Sequence, residues 1–131
     1  EPPIEETNET VCWPVTGSGE IDIFEHHSDG GPDHYAARAI DNLGYCGGGD
    51  WQAAMLLQEA RLDEYHEYSV EWAADTLIYR LDGVEAARQD SLGANYPEPM
   101  FAILNYAKIT DDRMEGEWVM EVDWVKHEYL K

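Results

Sequence analysis

Apolar and polar side chains alternate along several segments of the chain with a period of two, which is the periodicity of a β-strand. In the first of these segments Ile21, Ile23 and Phe24 favour a pleated strand and are interspersed with acidic residues. The pair Asp82 and Gly83 separates two later segments and predicts a tight hairpin turn. On this pattern we predict strands over residues 19–25, 34–41, 66–72, 76–82, 84–87, 99–105 and 117–129. The pattern therefore predicts an all-β fold.

The first strand carries three carboxylates, Glu20, Asp22 and Glu25. Glu20 and Asp22 share a face of the strand, whereas Glu25 has the opposite parity. A β-bulge at residues 23–24 would return Glu25 to that face, and bulges often re-aim a side chain beside an active site. We then expect the carboxyl groups of Glu20 and Glu25 to lie within the roughly 5–5.5 Å that double displacement at a sugar carbon requires.

Three like charges this close cannot all ionise cheaply, so at least one of these carboxyl groups should hold a proton and serve as an acid. The alternative interpretation is that the acids simply line the solvent face of an amphipathic strand. A chain with 28 Asp and Glu residues gives that alternative real weight. The carboxylate cluster alone does not decide between the two.

A known family has a similar arrangement. Trp13 and Pro14, followed by residues 19–25, resemble the signature of glycoside hydrolase family 16, the laminarinase and lichenase group, in its bulged form. The resemblance extends over residues 13–129 and implies a concanavalin A-like jelly-roll β-sandwich. Residues 51–61 are rich in helix formers, but the family places a strand there, and we predict a strand.

The resemblance also implies a role for each acid of the first strand. By position, Glu20 is the nucleophile, Asp22 assists it, and Glu25 is the acid/base. The next strand departs from the family, which often has a threonine and a histidine there that reach the substrate. Here the corresponding segment contains Arg38 between two alanines.

Five tryptophans are candidates for sugar stacking or for the core. Trp13 resembles the family tryptophan on which a sugar ring stacks, with core packing as the alternative. Trp51 is a second stacking platform or an anchor for its glycine-rich loop. Trp72, Trp118 and Trp124 alternate with apolar residues, which predicts that they belong to the core.

Three polar residues complete the candidate set. His26 adjoins Glu25 and either tunes its acidity or contacts a sugar hydroxyl; a metal site is not expected, since no spaced third ligand accompanies it. Asn105 matches the family's cleft asparagine, and its alternative role is a hydrogen bond at a strand end. Asp123 matches the family's structural calcium ligand, so Asp123 is a candidate ligand of a structural calcium ion. The chemistry itself requires no cofactor.

Charge narrows the choice of partner. Eight Lys and Arg against 28 Asp and Glu give a net charge of −20. Such a charge repels nucleic acid and anionic membranes, and it argues against a sulfated or uronic polysaccharide. A neutral polysaccharide is the expected partner, although adaptation to salt would also explain the acidity.

The cellular compartment is predicted from the lack of a long apolar run, from the first residues and from the two cysteines. No apolar run approaches 18 residues, which argues against a membrane span. The chain opens at Glu1 without a basic or apolar leader, so we expect a secreted protein whose signal peptide has been removed. Cys12 and Cys46 form either a disulfide, typical of a secreted protein, or two separate buried thiols.

We therefore predict an extended acidic tail over residues 1–11 and a partial or reduced jelly-roll glycosidase domain over residues 12–131. Only 19 residues precede Glu20, so the strands that the family has before its catalytic strand are missing, and we expect a homo-oligomer or a partner chain that supplies them. The predicted activity is retaining, endo-type hydrolysis of β-1,3 or β-1,3/1,4 bonds in a neutral glucan. The alternatives are a non-catalytic glycan-binding module and a self-assembling structural protein on the same fold.

Overall fold

The computed structural model describes residues 19–26, 33–42, 51–73, 76–90, 100–106 and 119–129. The chain divides into two compact units, Glu1–Pro99 and Met100–Lys131. All the strands of the described residues lie in the first unit. No helix long and apolar enough to cross a membrane occurs in this part of the chain.

The first sheet is antiparallel, with strand order β1-β2-β3. Its strands are β1 (Gly19–Glu25), β2 (His34–Asn42) and β3 (Trp51–Glu59). β2 pairs with all nine residues of β3 without a shift of register. The prediction of a strand rather than a helix for residues 51–61 is therefore confirmed, because continuous pairing outweighs the helix propensity of single residues.

The second sheet is also antiparallel, with strand order β4-β5-β6. Its strands are β4 (Tyr68–Ala73), β5 (Thr76–Leu81) and β6 (Val84–Asp90). The turn between β5 and β6 has positive φ angles at both central residues, 51° at Asp82 and 77° at Gly83. Two positive φ values define the type I′ turn, whose twist matches that of the flanking strands. The predicted hairpin is confirmed.

The two sheets share one apolar core. β2 and β5 provide most of its fully buried side chains, and Ala60 completes the set, which is Tyr35, Ala37, Ala39, Ala60, Leu77 and Tyr79. Alternate residues of each strand thus face the core, as a period of two requires. Two antiparallel sheets packed in this way are an all-β architecture consistent with the predicted jelly-roll sandwich, so the predicted fold class is confirmed.

Three aromatic rings join the sheets beside the bulge of β1. Phe24 lies 5.6 Å from the Tyr35 ring of β2 and 4.5 Å from the Tyr68 ring of β4, measured between ring centroids. Tyr35 and Tyr68 meet edge to face at 5.0 Å. Offset and edge-to-face contacts of this kind stabilise a core beyond the area that they bury. Because Phe24 anchors one side of β1 here, the opposite face of the strand is held in a fixed position.

Two predicted strands of the second unit are wrong for the residues that the structure describes. Residues 100–106 and 119–129 have no strand assigned. Their alternating pattern is compatible with a strand, but a strand forms only when backbone groups pair with a neighbour, and a period of two does not specify that neighbour. The alternating pattern therefore indicates a preference for extended backbone but does not identify a neighbouring strand in a sheet.

The predicted core roles of two tryptophans also need correction. Trp72 is 39% exposed although it lies in β4, and Trp124 is exposed together with Met120 and Val122, the residues of its own alternating face. A face is buried only where another layer covers it, and none of these side chains is covered to the degree that the pattern predicted. Trp118 lies outside the described residues.

Candidate active site

The register of β1 against β2 puts the three acids on one face. Residues are paired as Glu20 with Ile40, Asp22 with Arg38, and Glu25 with Ala36. Between Asp22 and Glu25, β1 advances by three residues while β2 advances by two. One extra residue on a single strand is a β-bulge, and it restores the parity of Glu25. The predicted bulge is confirmed, and Glu20, Asp22 and Glu25 share a face with Arg38.

The carboxyl group of Glu20 is the most strongly perturbed of the three. Partial burial, the charge of Asp22 and a hydrogen bond with Asp22 raise the pKa of Glu20 to about 7. Arg38 acts in the opposite direction but does not cancel these effects. Near neutral pH this carboxyl group therefore exchanges its proton readily, which is the property expected of a group that takes part in acid–base or nucleophilic chemistry. The expectation that one crowded acid holds a proton is met at Glu20.

Arg38 lies between the other two acids and is ion-paired with both. Its Nε donates to Oδ2 of Asp22 at 2.9 Å and lies 2.8 Å from Oε2 of Glu25, and its Nη2 donates to Oε1 of Glu25 at 3.2 Å. All three side chains are largely shielded from solvent. Although burial disfavours the charged guanidinium, the bond to Asp22 and the charge of Glu25 raise the pKa of Arg38 above its ordinary value.

Arg38 was not among the predicted site residues. The sequence did contain a signal, because Arg38 is one of only eight Lys and Arg residues and stands between two alanines in the strand next to the acidic strand. A cation among alanines is rarely placed there by chance, since charged residues are seldom buried unless they are paired. The pairing partners were not predictable, because they depend on the register between the two strands.

Two histidines lie at the end of the acidic face, which is the face of the first sheet that carries Glu20, Asp22, Glu25 and Arg38. The exposed His26 donates from Nδ1 to the backbone carbonyl of His34 at 2.8 Å, which fixes its ring beside the end of β1. His34 shares a face of β2 with Arg38, and its Nε2 lies 3.8 Å from Oε1 of Glu59 on β3. The predicted role of His26 toward Glu25 or a sugar hydroxyl stays a prediction. His34 is a further neighbour of this face that was not predicted from the sequence.

Of the remaining predicted site residues, Trp51 lies in the first sheet, and the others lie in the second unit or outside the described residues. Trp51 is the first residue of β3, opposite Asn42, and not part of a loop. Asn105 and Asp123 belong to the second compact unit, where both are exposed. Trp13, Cys12 and Cys46 lie outside the described residues, as do the tail over residues 1–11 and the loop over residues 44–50, so the stacking and disulfide predictions stay predictions.

No side-chain cluster for a metal ion is found among the described residues, in the sense of three or more grouped His, Cys, Asp or Glu side chains. The acids of β1 do not form such a group, because Arg38 is inserted between Asp22 and Glu25. The candidate calcium site at Asp123 stays a prediction.

A β-sandwich that carries paired carboxylates on a bulged strand has the features of a glycoside hydrolase. The family model for glycosyl hydrolases family 16 matches residues 10–126. Because this match covers most of the chain, the protein belongs to glycosyl hydrolase family 16. Neither a curated protein nor a solved structure matches the chain. Family membership implies a glycoside hydrolase that acts on glycans.

Proposed function

We propose that this protein hydrolyses internal β-1,3 or β-1,3/1,4 bonds of a neutral glucan with retention of configuration. The observation that carries the proposal is the bulge of β1, which places Glu20, Asp22 and Glu25 on one face of the sheet. Without the bulge, Glu25 would point toward the core side and could not act on the same sugar as Glu20. Membership of the family supports the assignment of roles.

The mechanism has two displacement steps. Glu20 attacks the anomeric carbon while Glu25 donates a proton to the departing glycosidic oxygen, and a covalent glycosyl–enzyme results. Glu25 then removes a proton from water, the water oxygen attacks the anomeric carbon, and Glu20 is released as a carboxylate. Asp22, hydrogen-bonded to Glu20, orients the nucleophile and influences its charge. Two inversions at one carbon give net retention.

A neutral glucan is the substrate best matched to the charge of the protein. The net charge of −20 repels an anionic polymer, and the acidic face has Arg38 as its single described cation, which is already paired with two acids. Trp13 and Trp51 would supply stacking surfaces, and His26 and Asn105 would bind sugar hydroxyls. These four contacts follow from the family resemblance and are part of the proposal.

The compartment, a disulfide and a calcium site are also part of the proposal. We propose that the protein is secreted, that Cys12 and Cys46 form a disulfide, and that Asp123 contributes to a structural calcium site away from the chemistry. A bridge between these cysteines would close a loop of about 35 residues and contribute roughly 3–4 kcal/mol to stability on the chain-entropy model.

Chemical rescue tests the proposed mechanism directly. Glu20→Ala should abolish hydrolysis of laminarin, and added azide should restore turnover of an activated aryl glycoside with an inverted glycosyl azide as product. An inverted product shows that azide replaces the nucleophile in a single displacement, whereas azide attack on a glycosyl–enzyme would give a retained product. Glu71→Ala, which removes a carboxylate from the second sheet, is the control and should retain hydrolysis. Unchanged activity of the Glu20 variant would remove the mechanism.

A non-catalytic glycan-binding module is the second candidate, and one observation favours it. Oε1 of Glu25 accepts from Arg38 and Oε2 is buried against the same guanidinium, whereas an acid/base needs one of these oxygens for the leaving group. A binding module would retain laminarin without producing reducing ends. Affinity electrophoresis in a laminarin gel together with a reducing-sugar assay separates the two functions.

A further inference from the structure

Arg38 occupies a distinctive place in the acidic cluster. It stands directly opposite Asp22 in the β1–β2 register, and the bulge brings Glu25 back to the same guanidinium. A guanidinium presents its donors in a rigid fork that matches the two oxygens of a carboxylate. Oε1 of Glu25 accepts from Nη2 at 3.2 Å, Oδ2 of Asp22 accepts from Nε at 2.9 Å, and Oε2 of Glu25 lies 2.8 Å from the same Nε.

This geometry conflicts with the work of a general acid. A general acid must present an O–H group to the departing oxygen at hydrogen-bond distance. Oε1 of Glu25 accepts from Nη2 of Arg38, and Oε2 is buried 2.8 Å from Nε, so neither oxygen is directed toward a bound sugar. The arrangement is therefore a resting state of the site, and the contact between Arg38 and Glu25 has to change before bond cleavage.

We propose that Arg38 is a positioning residue that clamps Glu25 beside Asp22 in the sugar-free protein, and that productive glycan binding transfers Glu25 from Arg38 to the glycosidic oxygen. This inference rests on the proposed hydrolytic function. Arg38 keeps its contact with Asp22 after the transfer, so the guanidinium stays within the face and does not swing into solvent. The clamp makes the charge state of the site depend on whether a sugar is bound.

The charged groups around the clamp are few. Glu20, Asp22 and Glu25 act on Arg38 from β1. On the same face of β2, His34 lies beyond Ala36 and is directed to Glu59 of β3. Since Arg38 is the described cation in contact with Asp22 and Glu25, its removal should release Glu25 from its place beside Asp22.

Kinetics of three variants test the clamp. Arg38→Gln removes the charge, Arg38→Lys keeps the charge but loses the fork, and Arg80→Gln is the matched control, since Arg80 forms a similarly shielded ion pair with Glu71 at 2.9 Å on the second sheet. Activities are compared at a pH above which activity no longer rises. For laminarin, whose leaving group needs a proton, Arg38→Gln should lower kcat by about three- to tenfold, because Glu25 is no longer positioned. For an aryl laminaribioside with a good leaving group, which needs no proton, kcat should stay unchanged. Arg38→Lys should stay closer to the wild-type kcat for laminarin than Arg38→Gln does, and Arg80→Gln should match the wild type with both substrates.

A merely structural role gives a different result. If Arg38 only joined β1 to β2, its variants would lose activity equally at every pH and with both substrates, with a loss of thermal stability like that of Arg80→Gln. That outcome would overturn the clamp. An unchanged kcat of Arg38→Gln for laminarin would also overturn it, because the position of Glu25 would then not depend on Arg38.

A measurement without turnover separates the clamp from the proposed function. In Glu20→Gln protein, which the proposed mechanism makes inactive, with 13C-labelled Glu carboxyl groups and 15N-labelled Arg, laminari-oligosaccharide should shift the Glu25 carboxyl signal and the Arg38 Nε signal, while the Arg80 signal stays in place. If the oligosaccharide binds and neither signal moves, the clamp is wrong, whatever the activity. If both signals move but wild-type protein never hydrolyses laminarin, the clamp stands and the hydrolytic function is wrong.

Discussion

At the scale of single residues, two glutamates of the acidic face have different neighbours, and these neighbours give their carboxyl groups different properties. Glu20 is crowded by Asp22 and favours its protonated form, whereas Glu25 lies against a cation. In double displacement the nucleophile must be ionised and the acid protonated. The proposed mechanism therefore requires Glu20 to lose its proton before it attacks the sugar. The charge of Arg38 lowers the pKa of Glu20 and so favours that loss.

The raised pKa of Glu20 predicts a stability effect with a definite sign. Because its pKa is about 7 in the folded state against 4.5 ordinarily, the native protein binds more protons than the unfolded chain between these values. Its contribution to the free energy of unfolding is therefore complete below pH 4.5 and is lost as the pH rises through about 7. After allowance for solvent screening at a partly exposed site, we expect a loss of about 1–2 kcal/mol.

Urea unfolding of the wild type and Glu20→Gln at several pH values measures this effect. The amide cannot ionise, so the variant should lack the decrease between pH 4.5 and pH 7 and be relatively more stable at pH 8. Identical pH dependence in both proteins would show that Glu20 is not perturbed. The activity should mirror the same titration, since kcat/KM for an aryl glycoside should rise with pH through about 7 as the nucleophile ionises.

At the scale of secondary-structure elements, a histidine clamp holds the β5–β6 turn to the segment before β4. Nδ1 of His66 lies 2.7 Å from Oδ2 of Asp82, and its Nε2 lies 3.0 Å from the carbonyl oxygen of Arg61. Both partners accept, so both ring nitrogens must donate, which requires the imidazolium form. The other carboxylate oxygen of Asp82 accepts from the backbone N–H of Glu67 at 2.9 Å.

This clamp predicts a pH window for the stability of the hairpin. The hydrogen bond to Asp82 raises the pKa of His66 above 6.5, so its contribution is complete below pH 6.5 and is lost as the pH rises through the raised value. The backbone hydrogen bond from Glu67, and then the bond from His66, lower the pKa of Asp82 below 3.8, so its contribution is complete above pH 3.8 and is lost at lower pH. The pair is therefore strongest between these two values.

Two variants and their combination test the window. His66→Gln removes the cation, and Asp82→Asn removes the anion while keeping a residue that tolerates the positive φ of the turn. Each should flatten the decrease in stability above pH 6.5, and the double variant should cost no more than either alone, because both remove one interaction. Additive losses in thermal unfolding would show that the two side chains act independently.

The sequence predicted the elements of the first unit well because their signals are local. Asp82 and Gly83 define a turn by themselves, and the wrong parity of Glu25 was enough to predict a bulge. The contacts of Arg38 and His66 were not predictable, since each pairs with a residue 16 positions away in the sequence. Such pairs depend on strand register and loop path, which a period-two pattern leaves open. The exposure of Trp72 was missed for the same reason.

At the scale of the whole molecule, apolar surface is distributed unevenly. The first unit buries its apolar residues between two sheets. In the second unit, the described residues expose many large apolar side chains, with Phe101 82% and Tyr129 87% exposed. The others are Met100, Ile103, Leu104, Tyr106, Val119, Met120, Val122, Trp124 and Val125. Extensive exposed apolar surface typically marks an interaction site.

We therefore predict that the working form is an assembly, made either of copies of this chain or of this chain with another that supplies further strands. Within the described residues each sheet has three strands, so two strands of each sheet lack a neighbour on one side, and unpaired strand edges readily recruit other strands. Burial of the apolar residues of 100–106 and 119–129 would stabilise such an association by roughly 25 cal/mol for each Å² removed from water. Specific activity should then rise with protein concentration.

Analytical ultracentrifugation at micromolar concentration measures the assembly against the chain mass of 14.9 kDa. The wild type should sediment as more than one chain and dissociate on dilution, with a parallel loss of specific activity. Phe101→Glu combined with Val122→Glu should shift the protein to monomer, because a charge at a buried contact is costly. Phe101→Leu combined with Val122→Ile keeps the apolar character of both positions and should leave the assembly intact. A compact, stable and fully active monomer would show that the fold covers its own edges, and the assembly prediction would have to be dropped.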